Sequence, residues 1–178
     1  MSVCVVSFSS RKNGNCARIN ELISSMYPSA KHYSFSQFKI TGCGDCSYQC
    51  FERGDRCPYA RDKERELLDA MTNSDLVIFI VPNYCDYPCS NYFVFNERSI
   101  CYFQNNDELL KKYLQTPKKF VVVSNTKSDH FQQAFSYQTV GVPDVMFLAA
   151  NDYGQMSTDG NIVSSSEAVE EMRKFLLS

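Results

Sequence analysis

Neither sign of charge is in excess: Lys and Arg number 18 against 20 Asp and Glu, a formal net charge of -2. That balance gives no field able to gather a polyanion, so nucleic acid is not an expected partner. Long apolar runs are also missing. The opening MSVCVVSF has no basic n-region, its apolar stretch is too short for a signal peptide, and no later stretch approaches the length of a membrane span. The expectation is a soluble, cytoplasmic protein without a membrane partner. An even complement of cysteines is lacking too. The nine present are an odd number, in a chain of 178 residues that is not the small secreted scaffold a disulfide framework serves. Both established phosphate motifs are absent: neither G-x-x-x-x-G-K-[ST] nor G-x-G-x-x-G occurs, which disfavours a nucleoside triphosphate or a Rossmann-type dinucleotide. The two histidines, His32 and His130, stand far apart without a supporting carboxylate pattern and do not suggest a catalytic pair.

What is present is an alternation of strands and helices. Residues 3–8 form a short apolar, β-branched run that gives way to SSRKNGN, the pattern of a buried strand ending in a loop. From Cys16, the apolar residues Ile19, Leu22, Ile23 and Met26 recur at helical spacing; Asn13 or Asn15 is placed to cap this helix, and Pro28 closes it. A weaker strand is expected over residues 31–35 and a helix over 62–73, with acidic residues in its first turn. LVIFIV at 76–81, FVVV at 120–123 and VMFL at 145–148 read as strands covered on both faces. Helical segments at 88–103, 107–114 and 166–177 lie between and after them. The pattern predicts an α/β fold: a doubly wound, five-stranded parallel sheet with helices on both faces, in a single domain spanning 1–178. Ligands of such sheets bind beyond the carboxyl ends of the strands, where the strand order reverses, so the loops after Phe8, Val81 and Val123 are expected to meet.

The first of these loops, SSRKNGNC, offers the hydroxyls of Ser9 and Ser10, the charge of Arg11, the side chains of Asn13 and Asn15, a turn at Gly14 and then a helix N-terminus. That mixture suits a phosphate monoester, and equally an ordinary polar connection. The second loop begins PNYCDYPC, with Tyr84 and Tyr87 near its start, where a flat aromatic ligand would stack. The aromatic residues Phe93, Phe95 and Phe103 that follow read as core or as a subunit interface.

These segments, in this order, resemble the NADPH-dependent FMN reductase family of the flavodoxin-like fold. In that family a loop of the form S-x-R-x-x-G-N-[ST] holds the FMN phosphate; Ser9, Arg11, Gly14 and Asn15 match it, with Cys16 in place of the hydroxyl residue. A P-x-Y loop borders the isoalloxazine, matched by Pro82, Asn83 and Tyr84, and residues 91–98 resemble the helix that follows. The resemblance covers roughly the first hundred residues. It implies FMN as cofactor, with backbone donors around Asn83, Cys85 and Asp86 tuning the flavin; the third loop, SNTKSDH, is a poor match to the family, and Ser124 and Asn125 are candidates through its place at the same end of the sheet. It also implies NAD(P)H as reductant, a small electron acceptor, and a homodimer or homotetramer. A non-catalytic FMN-binding electron carrier is the alternative.

A cysteine-rich insertion at about 41–61 holds Cys43, Cys46, Cys50 and Cys57 at C-x2-C-x3-C-x6-C spacing. Such a run can ligate a metal or cluster. It resembles the four-cysteine motif of iron–sulfur flavoproteins, which implies a [4Fe–4S] cluster, although the second gap is one residue longer than in the compact form. A zinc site, in a zinc-stabilised interaction module without flavin, and reduced thiols with structural or redox roles are the other readings. Cys4 and Cys101 are expected to be buried packing residues, and Cys16, Cys85 and Cys89 to lie on the flavin face.

Overall fold

The computed structural model describes residues 1–44, 46–52, 57–125, 127 and 130–178. Five parallel strands form the sheet: β1 (Val3–Ser7), β2 (Lys31–Ser34), β3 (Leu76–Tyr84), β5 (Lys118–Ser124) and β6 (Asp144–Ala149), in spatial order β2-β1-β3-β5-β6. A two-residue strand, β4 (Tyr87–Pro88), folds back antiparallel on the end of β3. This is the flavodoxin-like arrangement expected from the sequence.

The apolar runs form strands because both of their faces are covered. In β3, Val77, Phe79 and Val81 point into one core with α3 (Glu64–Thr72), α4 (Ser90–Phe103) and α5 (Asp107–Gln115). Leu76, Ile78 and Ile80 point into the other, with α1 (Asn15–Met26) and α7 (Ser166–Leu177). The period-two alternation of a strand therefore serves two cores with one run of apolar side chains. Phe8 sits at the centre of the first core, with ring centroids 5.1 Å from Phe35, 5.4 Å from Phe79 and 5.5 Å from Tyr92. Phe95 and Phe103 are buried, whereas Phe93 is exposed.

Several boundaries differ from expectation. Neither Asn13 nor Asn15 caps α1: Gly14 is the N-cap, no side chain bonds there, and Asn15 is the first helical residue. Helix α3 begins at Glu64 rather than at 62, because Asp62 is occupied outside it, accepting from the Glu64 N–H at 3.1 Å and pairing with Arg98. Three short elements carry too weak a periodic signal to be read from sequence: α2 (Gln49–Glu52), β4 and α6 (His130–Ser136). No helix among the described residues is long and apolar enough to cross a membrane.

Candidate functional site

The strand order reverses between β1 and β3, which makes the crevice above their carboxyl ends the place for a ligand. The loops after β1 and β3 are joined there by Asn91, in the first turn of α4. Its Nδ2 donates to the Phe8 carbonyl at 2.7 Å and to the Ser10 hydroxyl at 2.8 Å. The third loop joins through Ser124, whose hydroxyl accepts from Asn83 Nδ2 at 2.8 Å. Asn83 Oδ1 is buried and has no partner. An unpaired buried acceptor costs free energy in the free protein, and a ligand N–H donor would remove that cost.

In the first loop, Ser9 is buried and its hydroxyl accepts from the Arg11 N–H at 3.1 Å. Helix α1 has no side-chain cap and no acidic residue in its first turn, so its positive end is left for an anion. Arg11 is exposed beside it, and its Nη2 reaches the Thr158 carbonyl at 3.5 Å. Gly14 has φ of -113°, open to any residue, and a Cβ there would meet Arg11 atoms only at ordinary contact distance, 3.6 Å. Close turning of the backbone is therefore not what Gly14 provides. Asn15, 3% exposed, faces the segment after β6: Nδ2 donates to the Ser157 carbonyl at 2.9 Å, and Oδ1 accepts from the Ile162 N–H at 2.9 Å. Asn125 joins the same segment, accepting from the Ser157 N–H at 2.7 Å. Asn13 is exposed. Cys16 is buried, and desolvation, with the neighbouring Cys89 adding, pushes its thiol up to about 12. It is a neutral thiol at physiological pH.

In the second loop, Pro82 is buried, while Tyr84, Cys85 and Asp86 are exposed. Tyr84 pairs with Tyr87 across a two-residue turn in which Cys85 (φ 53°) and Asp86 (φ 64°) both take the left-handed conformation. Two positive φ values are the requirement of a type I′ hairpin, normally met by Asn and Gly. Tyr84 and Tyr87, both exposed, flank this strained turn, and Tyr87 stacks on His130 with centroids 4.9 Å apart. Residues 126, 128 and 129 of the third loop lie outside the described residues.

The structure thus brings together Ser9, Asn83 and Ser124 with their loops, and draws Asn15 and Asn125 toward the 157–162 segment. Sequence reasoning missed Asn91 as the group that fastens the first two loops. It also missed the 157–162 segment, whose contacts with Asn15 run across more than 140 positions. An isolated Asn in an apolar helical pattern carries no signal of direction.

The cysteine segment packs along α4. Arg98, 1% exposed, clamps both of its ends: Nη1 donates to Asp62 Oδ2 at 2.9 Å and to the Thr41 carbonyl. The Cys43 N–H donates to Glu97 Oε1 at 2.8 Å, and its thiol lies 3.8 Å from the Glu97 carbonyl. Cys50 is buried; Cys43, Cys46 and Cys57 are half-buried. Cys4 is a packing residue as expected, but Cys101 is not. It is half-buried and lies within hydrogen-bonding reach of both Cys50 and Cys57. Among the described residues, no group of three or more His, Cys, Asp or Glu is placed to hold a metal ion. Beside these thiols is a cavity of about 20 Å³ lined by Cys57, Glu64, Arg98 and Cys101. Glu64 is 4% exposed, neither carboxyl oxygen has a partner, and burial pushes its pKa up to about 9.

No protein-family model and no curated protein matches this sequence. Solved structures do match in fold. The Trp repressor binding protein from Bacillus subtilis aligns over 98% of this chain and 96% of its own, with a TM-score of 0.65 at 11% identity. An azoreductase from Bacillus anthracis aligns over 98% and 97%, with a TM-score of 0.60 at 11% identity. The flavoenzyme FerB, an NAD(P)H:(acceptor) oxidoreductase from Paracoccus denitrificans, aligns over 98% and 90%, with a TM-score of 0.58 at 14% identity. These chains share a flavodoxin-like architecture with this one.

Proposed function

We propose that the protein is an FMN-dependent oxidoreductase that takes electrons from NAD(P)H and passes them to a small acceptor. The observation that carries this reading is the crevice between β1 and β3, where an uncapped helix N-terminus, the Ser9–Ser10 hydroxyls and the unpartnered Asn83 oxygen surround one loop cluster. The neighbours named as flavoenzyme, azoreductase and oxidoreductase lend the same direction.

The residues present fit the cofactor by chemistry. The α1 N-terminus, Ser9, Ser10 and Arg11 would take the phosphate; Asn83 and the Tyr84–Tyr87 hairpin would border the ring. The flavin supplies hydride chemistry when bound, and the chain's task is position and electrostatics. Asn91 holds the first loop against α4, Ser124 orients the Asn83 amide, and Tyr87 with His130 stacked on it would border the ring. No side-chain acid or base is needed, which accords with the absence of a triad in the sequence.

Among the described residues no group of three or more His, Cys, Asp or Glu is placed to hold a metal ion, so no electron step is routed through the four insertion cysteines.

Titration of the purified chain into FMN, followed by flavin fluorescence and the visible spectrum, tests the reading. Quenching with saturation is expected, then bleaching of the bound flavin by NADPH or NADH in stopped flow. An unaltered spectrum overturns the assignment; saturable binding without bleaching by either nucleotide makes the protein an electron carrier.

A further inference from the structure

The cysteine insertion meets α4 through a residue outside its own motif. Cys101, three turns along α4 from Ser90, has Cys50 and Cys57 within hydrogen-bonding reach, and all three are free thiols. Cys57 and Cys101 are half-buried and line one small cavity, whereas Cys50 is 4% exposed. The cavity holds two further groups with uncommitted polar atoms: the Glu64 carboxyl and Arg98 Nε, both buried and unpartnered. Two thiols that line one small, partly open pocket are placed for thiol oxidation.

We propose that Cys57 and Cys101 are a redox-active pair that closes a disulfide between the cysteine segment and α4 on exposure to a hydroperoxide. Arg98 lines the same cavity as Cys57 and Cys101 and brings a fixed positive charge to it. Cys57 sulfur attacks one peroxide oxygen. The O–O bond breaks, the departing alkoxide takes up a proton, and Cys57 becomes a sulfenic acid. Cys101 sulfur then attacks the Cys57 sulfur; the S–S bond forms, the S–O bond breaks, and the leaving hydroxide departs as water with the Cys101 proton. Two thiols lose two electrons and the peroxide gains them. The bond ties residue 57, at the close of the insertion, to the helix whose first turn holds Phe8 and Ser10 through Asn91. This chemistry requires no bound flavin, so it stands or falls apart from the FMN reading.

The test uses the full chain, reduced, freed of reductant under nitrogen and treated with tert-butyl hydroperoxide. Thiol counting should show the loss of two of the nine thiols, restored by dithiothreitol. A non-reducing peptide map should join the peptides that carry Cys57 and Cys101. In Cys101→Ser that link should vanish and Cys57 should become trappable by dimedone as its sulfenic acid. Retention of all nine thiols, a link joining any other pair, or zinc or iron bound stoichiometrically and lost in Cys101→Ser would overturn the proposal. The wild-type map needs no variant to fold.

Discussion

Arg98 Nη1 lies 2.9 Å from Asp62 Oδ2 and also donates to the Thr41 carbonyl, so one buried guanidinium holds the start of the cysteine segment to the residue just beyond its end. The Thr41 N–H donates to the same Asp62 oxygen at 3.2 Å, and the guanidinium lies 5.4 Å from the Tyr59 ring centroid.

Removing that clamp should be costly. Arg98→Leu leaves the partly buried Asp62 without its cation, and breaking a fully buried pair from one side costs about 3–5 kcal/mol, which sets the upper end of the loss. Urea denaturation should show a loss of that order, and limited proteolysis should cut first within residues 43–61. A loss under about 1 kcal/mol would mean that the clamp is not formed.

Glu64 makes stability depend on pH. Its folded pKa is raised by desolvation from the ordinary 4.5 to about 9. The folded chain therefore holds this proton more tightly than the unfolded chain. The contribution is fully present below about 4.5 and is lost as pH rises through about 9. Wild-type stability should fall across that window by on the order of 6 kcal/mol at most from this group, about 1.4 kcal/mol for each unit of pKa difference. Glu64→Gln, neutral throughout, should lack this component of the decline. Parallel slopes in the two proteins would exclude the assignment.

Asn91→Ala removes both hydrogen bonds from Asn91 to the first loop, the loop proposed to take the FMN phosphate. With each such bond worth about 1 kcal/mol, FMN affinity should weaken roughly 5- to 30-fold while the circular dichroism stays unchanged. Unchanged affinity would place the flavin elsewhere.

The turn at Cys85 and Asp86 stores strain, because both residues adopt positive φ without being glycine. Cys85→Asn, a residue tolerant of that conformation, should raise stability by about 0.5–1 kcal/mol in thermal unfolding. A loss of stability would indicate that the thiol has a packing role there.

How much of this was legible beforehand differs between elements. The strands at Val3–Ser7, Leu76–Tyr84 and Lys118–Ser124 are continuous apolar runs, and a run with no polar face suits a strand covered on both sides. Their alternation with amphipathic helices was enough to give the sheet and the crevice. The start of α3 was misplaced because Asp62 looked like a first-turn acid, and its engagement with Arg98, 36 positions away, is invisible in a local window. In sequence Cys101 reads as packing for the same reason. It lies in an apolar helical pattern, and only the fold brings Cys50 and Cys57 to it.

The order of apolar runs, turns and amphipathic segments by itself determined the α/β architecture and which loops lie at the ligand end, since burial periodicity is a local property of the chain. Tertiary structure alone decided that Asn91 fastens two of those loops, that Arg98 closes the insertion, and that Cys57 finds Cys101. Each of those is a contact between residues distant in sequence, and side-chain direction across such distances is set by packing, which no local pattern encodes.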